Sequence, residues 1–153
     1  MADIKNILCP IDFSKCSGAA LDYAMELAKT LNAGLHLLHV YQDPLAAVPF
    51  ARPGTAGAPS APIDEIEQAR KKRTTEIQRL QKVCVDHGVA TRVEEVEGVP
   101  ATSIVAAAQA AKADLIVMGT HGRSGLAHIM VGSVAERVVR LAQCPVLTVR
   151  GPA

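Results

Sequence analysis

Leu115-Ile116-Val117-Met118-Gly119-Thr120-His121-Gly122-Arg123-Ser124-Gly125 is the stretch that decides the fold. Its first four residues are all apolar, the composition of a short strand buried on both faces. Three glycines within the next seven residues let the backbone bend back on itself. After residues 126–131, Gly132 and Ser133 open a segment of helical spacing that runs to Ala142. Apolar runs of strand length that alternate with longer segments of helical period are the mark of a parallel sheet covered by helices.

The same alternation extends in both directions. Residues 4–9 form an apolar run that ends at Pro10, and Ala20, Ala24, Leu27, Ala28 and Leu31 then make one helical stripe, stopped by Asn32-Ala33-Gly34. Residues 35–40 are apolar except for His36 and His39, which a strand points to opposite sides. A further stripe of Ile66, Ala69, Ile77, Leu80 and Cys84 is interrupted by Arg73 and ends at His87-Gly88. Arg70, Lys71, Lys72 and Arg79 lie on the other sides of that helix, with Glu67 and Glu76 among them, and read as a solvated face. Residues 89–97 alternate in part, as an edge strand does. Pro100 suits a first helical position, and residues 145–149 make a fifth strand. The expectation is an α/β fold with an open five-stranded parallel sheet in the order 3-2-1-4-5 and helices on both faces. The whole chain, 1–153, reads as a single domain. Residues 42–62, with five of the nine prolines plus Gly54 and Gly57, read as a long loop within it.

Composition narrows the function. Hydrophobic residues are 49% of the chain and charged residues 20%, a folded protein's mixture, and with 3% aromatics the core must be Ala, Val, Leu and Ile. A net charge of +1 supplies no field for general binding to nucleic acid or anionic lipid. No apolar run approaches the ~20 residues of a bilayer crossing. The opening residues lack a basic region followed by an apolar stretch, and Cys9, Cys16, Cys84 and Cys144 have no CxxC spacing. Reduced thiols and a cytoplasmic location are expected.

The glycine-rich turn brings amide N–H groups toward a ligand, and Ser133 is placed to cap the last helix, whose free amides and positive dipole end favour an anion. A flexible loop followed by an ordinary capped helix would have the same glycine content. The spacing adds more: Gly119, Gly122, Gly132 and Ser133 match G-x2-G-x9-G-[ST], which resembles the nucleotide-binding signature of the universal stress protein family. Residues 7–14 look like that family's first strand and turn, His39-Val40 like the end of its second strand, and residues 144–149 like its final strand.

The resemblance implies ATP, accompanied by Mg²⁺, bound beyond the carboxyl ends of strands one and four. Pro10, Ile11 and Asp12 would border it, with Asp12 meeting the adenosine or the metal; the alternative for Asp12 is an N-cap carboxylate. Val40 would offer backbone groups to the adenine edge, Gly119 would lie against the ribose, and Met118 is counted among the residues of the site. Gly122, Arg123, Ser124 and Gly125 would surround the phosphates, and Gly132, Ser133 and Val134 would take the terminal ones. Arg123 neutralises phosphate charge in that reading or else projects into water. Gly132→Val is expected to weaken ATP binding and leave the fold intact. His121 and His128 lack a spacing that would make them a metal pair. Family resemblance and an apolar edge at Val146, Leu147 and Val149 together imply a homodimer paired through the last strand.

Rapid catalysis has no support, because neither G-x4-G-K-[ST] nor a G-x-G-x-x-G after the first strand is present. A phosphoacceptor receiver domain would need an aspartate after the third strand, where Glu94, Glu95 and Glu97 stand instead. ATP sensing or switching is therefore expected, the alternatives being a partner-binding dimer without nucleotide or a slow ATPase.

Overall fold

The structure, a computed structural model, describes residues 3–42, 63–121 and 131–152. The proline-rich stretch from residue 43 to 62, and Gly122, Arg123, Ser124, Gly125 and His128, lie outside them. Along the chain run β1 (Asn6–Pro10), α1 (Lys15–Leu31), β2 (Gly34–Tyr41), α2 (Ile63–Asp86), β3 (Thr91–Glu97), α3 (Pro100–Ala110), β4 (Leu115–Gly119), α4 (Ser133–Leu141) and β5 (Val146–Val149). The five strands form one parallel sheet in the order β3-β2-β1-β4-β5, as expected.

Period two in the strands sorts the core into two layers. Ile7, Cys9, Leu35, Leu37, Leu115 and Val117 face α1 and α2, whereas Leu8, Leu38, Ile116 and Met118 face α3 and α4. Alanines let the helices approach closely: Ala20, Ala24 and Ala28 of α1 and Ala101, Ala107 and Ala108 of α3 are buried. Burying an aliphatic side chain such as Ile116, fully enclosed here, contributes roughly 2–3 kcal/mol. No helix among the described residues is long and apolar enough to cross a membrane.

Local signals end the elements as the sequence suggests. Asn32, in the left-handed conformation at φ 51°, closes α1 by donating to the Ala28 and Lys29 carbonyls. Pro100 stands in the first turn of α3 after Val99. The α2 stripe differs from expectation at one position: Ala69 is exposed, and Arg73 takes a place on the inner face. Its charge is met there. Nε of Arg73 lies 2.9 Å from Glu95 Oε1, the guanidinium stacks 3.8 Å over the Tyr41 ring, and Thr74 Oγ1 donates to the other Glu95 oxygen at 2.7 Å.

Candidate functional site

Parallel β1 and β4 both end at the same edge of the sheet, so Asp12, just past β1, and Gly119, the last residue of β4, share that edge. The sheet order reverses between these strands, and a crevice beyond their carboxyl ends follows from that topology. Two local features open it. Ile11 N–H bonds Leu38 O at 2.8 Å across to β2, so the preceding residue, Pro10, directs its backbone toward β4. Pro10 has no amide hydrogen for the next rung there, and the β1–β4 register stops at Leu8↔Ile116.

On the other side, the β1–β2 ladder would next pair Val40 N–H with Ile11 O. That rung is absent among the described residues; His39 Nδ1 lies 2.7 Å from Ile11 O instead. A carbonyl only accepts, so His39 carries its hydrogen on Nδ1. Burial holds this imidazole below its ordinary pKa against the opposing bond to Ile11, and it is neutral at pH 7.

The turn after Ile11 is tightly held. Ser14 N–H donates to Asp12 Oδ1 at 3.0 Å, and Phe13 sits in the left-handed region at φ 63° with its ring 4.7 Å from that of His39. Left-handed backbone costs a non-glycine residue about 1 kcal/mol, and such strain concentrates at functional sites. The N-cap of α1 is Ser14, whose Oγ accepts from Ser17 N–H at 3.1 Å. Asp12 is therefore not the cap. Among the described residues its Oδ2 has no hydrogen-bond partner, and a single carboxylate at a crevice suits Mg²⁺ held mainly by a nucleotide's phosphates.

Gly119 and Gly132 are required by close approach. A Cβ on Gly119 would lie 2.8 Å from Cys16 Sγ and 3.0 Å from the Cys16 carbonyl carbon, so this glycine lets the first turn of α1 sit on β4. A Cβ on Gly132 would lie 2.9 Å from Thr120 O, the atom that accepts from Gly132 N–H at 2.6 Å. The expected Gly132→Val behaviour is corrected accordingly: the branched side chain meets the chain's own backbone first, so fold and site are disturbed together.

The expected serine cap on α4 is also corrected. Gly132 is the N-cap, with no side-chain hydrogen bond, and Ser133 is the first helical residue. This leaves the first-turn amides at Ser133 and Val134 without a side-chain acceptor at the positive end of the helix. Thr120 N–H extends the β4–β5 ladder to Val149 O at 2.9 Å, Thr120 Oγ1 and His121 Nδ1 are 2.9 Å apart, and His121 Nε2 is buried without a partner among the described residues.

Of the residues expected at the site, Pro10, Asp12, Val40, Gly119, Gly132, Ser133 and Val134 stand at strand carboxyl ends or the α4 start. Ile11 and Met118 are 4% and 5% exposed with side chains in opposite core layers, so only their backbones can face a ligand. Sequence reasoning missed His39, Ser14 and Cys16. Ser14 had a signal, a hydroxyl residue directly before a helical stripe; the other two depend on which strand and helix they meet.

The opposite edge also has a cavity, of about 330 Å³, lined in part by Asn6, Leu8, His36, Thr91 and Arg92. Its histidine and arginine are engaged already. Arg92 donates to His36 Nδ1 at 3.1 Å, and His36 Nε2–H donates to Glu94 Oε2 at 2.9 Å. Burial, followed by Arg92, lowers the His36 pKa against the pull of Glu94.

An open parallel sheet in this strand order, with helices on both faces, defines a doubly wound α/β protein. This chain belongs to the universal stress protein family, which it matches over residues 3–150. It is 38% identical over 150 residues to universal stress protein MJ0531 of Methanocaldococcus jannaschii, covering 97% of this chain and 83% of that one. The universal stress protein UspA from Lactobacillus plantarum superposes with a TM-score of 0.79 at 26% identity, over 98% of this chain and 100% of that one. A universal stress protein solved in complex with cAMP superposes with a TM-score of 0.67 at 26% identity, over 99% and 100% of the two chains.

Proposed function

We propose that this chain, acting as a single domain, binds ATP with Mg²⁺ in the crevice between β1 and β4 and serves as a sensor or switch in a stress response. The observation that carries the reading is the release of β1 from both neighbours at one edge, beside the start of α4, whose first-turn amides have no side-chain cap. Val40 backbone groups would meet the base, Asp12 the metal or ribose, and Gly132, Ser133 and Val134 the terminal phosphates. Gly122, Arg123, Ser124 and Gly125 complete the signature in sequence. The solved relative in complex with cAMP supports an adenine nucleotide as the ligand class.

Equilibrium binding of labelled ATP to the wild type and to Gly122→Trp tests this. Saturable binding by the wild type, lost in the variant, is expected; no detectable wild-type binding would favour a partner-binding module that never meets nucleotide. Phosphate release at many turnovers per minute would reject a switch in favour of an ATPase.

The same reading includes a cytoplasmic location and a homodimer. β5 is an edge strand whose Val146, Leu147 and Val149 remain partly exposed, and a two-fold axis would pair it with its copy. Ile116 N–H to Pro145 O and Thr120 N–H to Val149 O turn the odd-numbered residues of β5 toward β4, so Thr148→Pro, which removes a backbone donor at the free edge, should raise the monomer fraction in sedimentation, whereas a wild type that is monomeric at micromolar concentration would refute the dimer.

A further inference from the structure

Val40 is the residue of β2 whose backbone the sheet leaves over. Gly34 N–H bonds Lys5 O and Leu38 O accepts from Ile11, so even-numbered residues of β2 direct their backbone toward β1. Odd-numbered ones face β3, as Leu35 N–H to Ala90 O and Gly98 N–H to Tyr41 O show. Val40 therefore faces β1 where β1 has already turned away at Asp12 and Phe13, and the one carbonyl within its ladder position, Ile11 O, is occupied by His39.

His39 is held firmly in that task. It is 8% exposed, its ring lies 4.7 Å from Phe13 and stacks 6.5 Å from Tyr41, and Tyr41 is clamped in turn by Arg73, itself anchored to Glu95. We propose that His39 is a positioning residue for base recognition: its bond holds the Ile11 carbonyl turned from the Val40 N–H, which, with the Val40 C=O, has no backbone partner toward β1 among the described residues and faces the crevice. A donor beside an acceptor on one residue complements adenine, whose N1 accepts and whose N6 amino group donates, and mismatches guanine, whose O6 and N1–H reverse that order. The inference rests on the nucleotide-binding reading above.

Removing the imidazole donor lets Val40 N–H close the rung onto Ile11 O, which costs the ligand a hydrogen bond. The test measures dissociation constants for ATP, GTP and inorganic tripolyphosphate on the wild type, His39→Phe and His39→Asn, together with hydrogen exchange at the Val40 amide. Phenylalanine keeps the ring stack without a donor; asparagine places an amide donor near the position of Nδ1. His39→Phe should bind ATP about 10-fold more weakly, lose the same factor of preference for ATP over GTP, and slow exchange at Val40. Its tripolyphosphate affinity should not change, and His39→Asn should recover most of the ATP affinity. Should His39→Phe not fold, His39→Leu carries the same expectation. Equal weakening toward all three ligands, or no recovery in His39→Asn, would overturn the positioning role, as would unchanged ATP affinity in His39→Phe. A wild type that binds none of the three ligands would defeat the nucleotide reading itself.

Discussion

At the amino edge of the sheet, Asp114 Oδ2 accepts from the Lys5 and Asn6 amides at 2.9 and 2.8 Å, Gly34 N–H reaches Lys5 O, and Asp114 N–H reaches Asn6 O. At the carboxyl edge the same strands leave rungs unmade: Pro10 has no donor for β4, His39 takes the place of Val40 at Ile11 O, and α4 starts without a side-chain cap. Buried backbone groups are normally paired, so an edge that withholds pairing is prepared for an outside partner. The two edges thus differ in kind, one closing the sheet and the other leaving it open where the nucleotide is proposed to bind.

The sharpest way to break this contrast is Gly119→Val. Its Cβ would press on the sulfur and backbone of Cys16, so the first turn of α1 would lift from β4. Denaturant unfolding should show a loss of about 3 kcal/mol, and ATP affinity should fall with it. Asp114→Ala acts at the other edge, where two amides lose their acceptor. It should cost about 1 kcal/mol of stability and leave ATP affinity unchanged; a change in affinity would show that the edges are not independent.

Acid has the smallest effect and touches both edges. His36 and His39 have folded-state pKa values lowered by burial, so between those values and the ordinary value near 6.5 the unfolded chain binds more protons. Stability contributed by the neutral imidazoles is present above that ordinary value and is lost as pH falls from about 7 toward 5. Melting temperatures measured over this range should fall with pH. His39→Asn should flatten part of the fall, and a rise on acidification would contradict the neutral tautomers assigned here.

Much of the fold was legible because period two and period 3.6 report which face of an element is buried. Leu115 to Met118 are enclosed on both sides, and the alternation of strands and helices yields the order found. Arg73 was legible only as an interruption. Its place on the inner face depends on Glu95 and Tyr41, far away in sequence, and periodicity carries no such information. The edge that holds the candidate site could be read from Asp12, Gly119 and Gly132. The roles of Ser133 and His39 could not, since which residue caps α4 is set by Gly132 bonding to Thr120, and the value of the imidazole is set by where β1 leaves the sheet.

The most direct measurement is the amide spectrum of the isotope-labelled chain titrated with Mg²⁺ and ATP. Shifts are expected at Asp12, Val40, Gly119, Gly132, Ser133 and Val134, at the carboxyl edge and the start of α4, while Asn6, Gly34, Leu35 and Arg92 at the amino edge stay in place. Shifts concentrated at the amino edge, or none at saturating nucleotide, would contradict the proposed site.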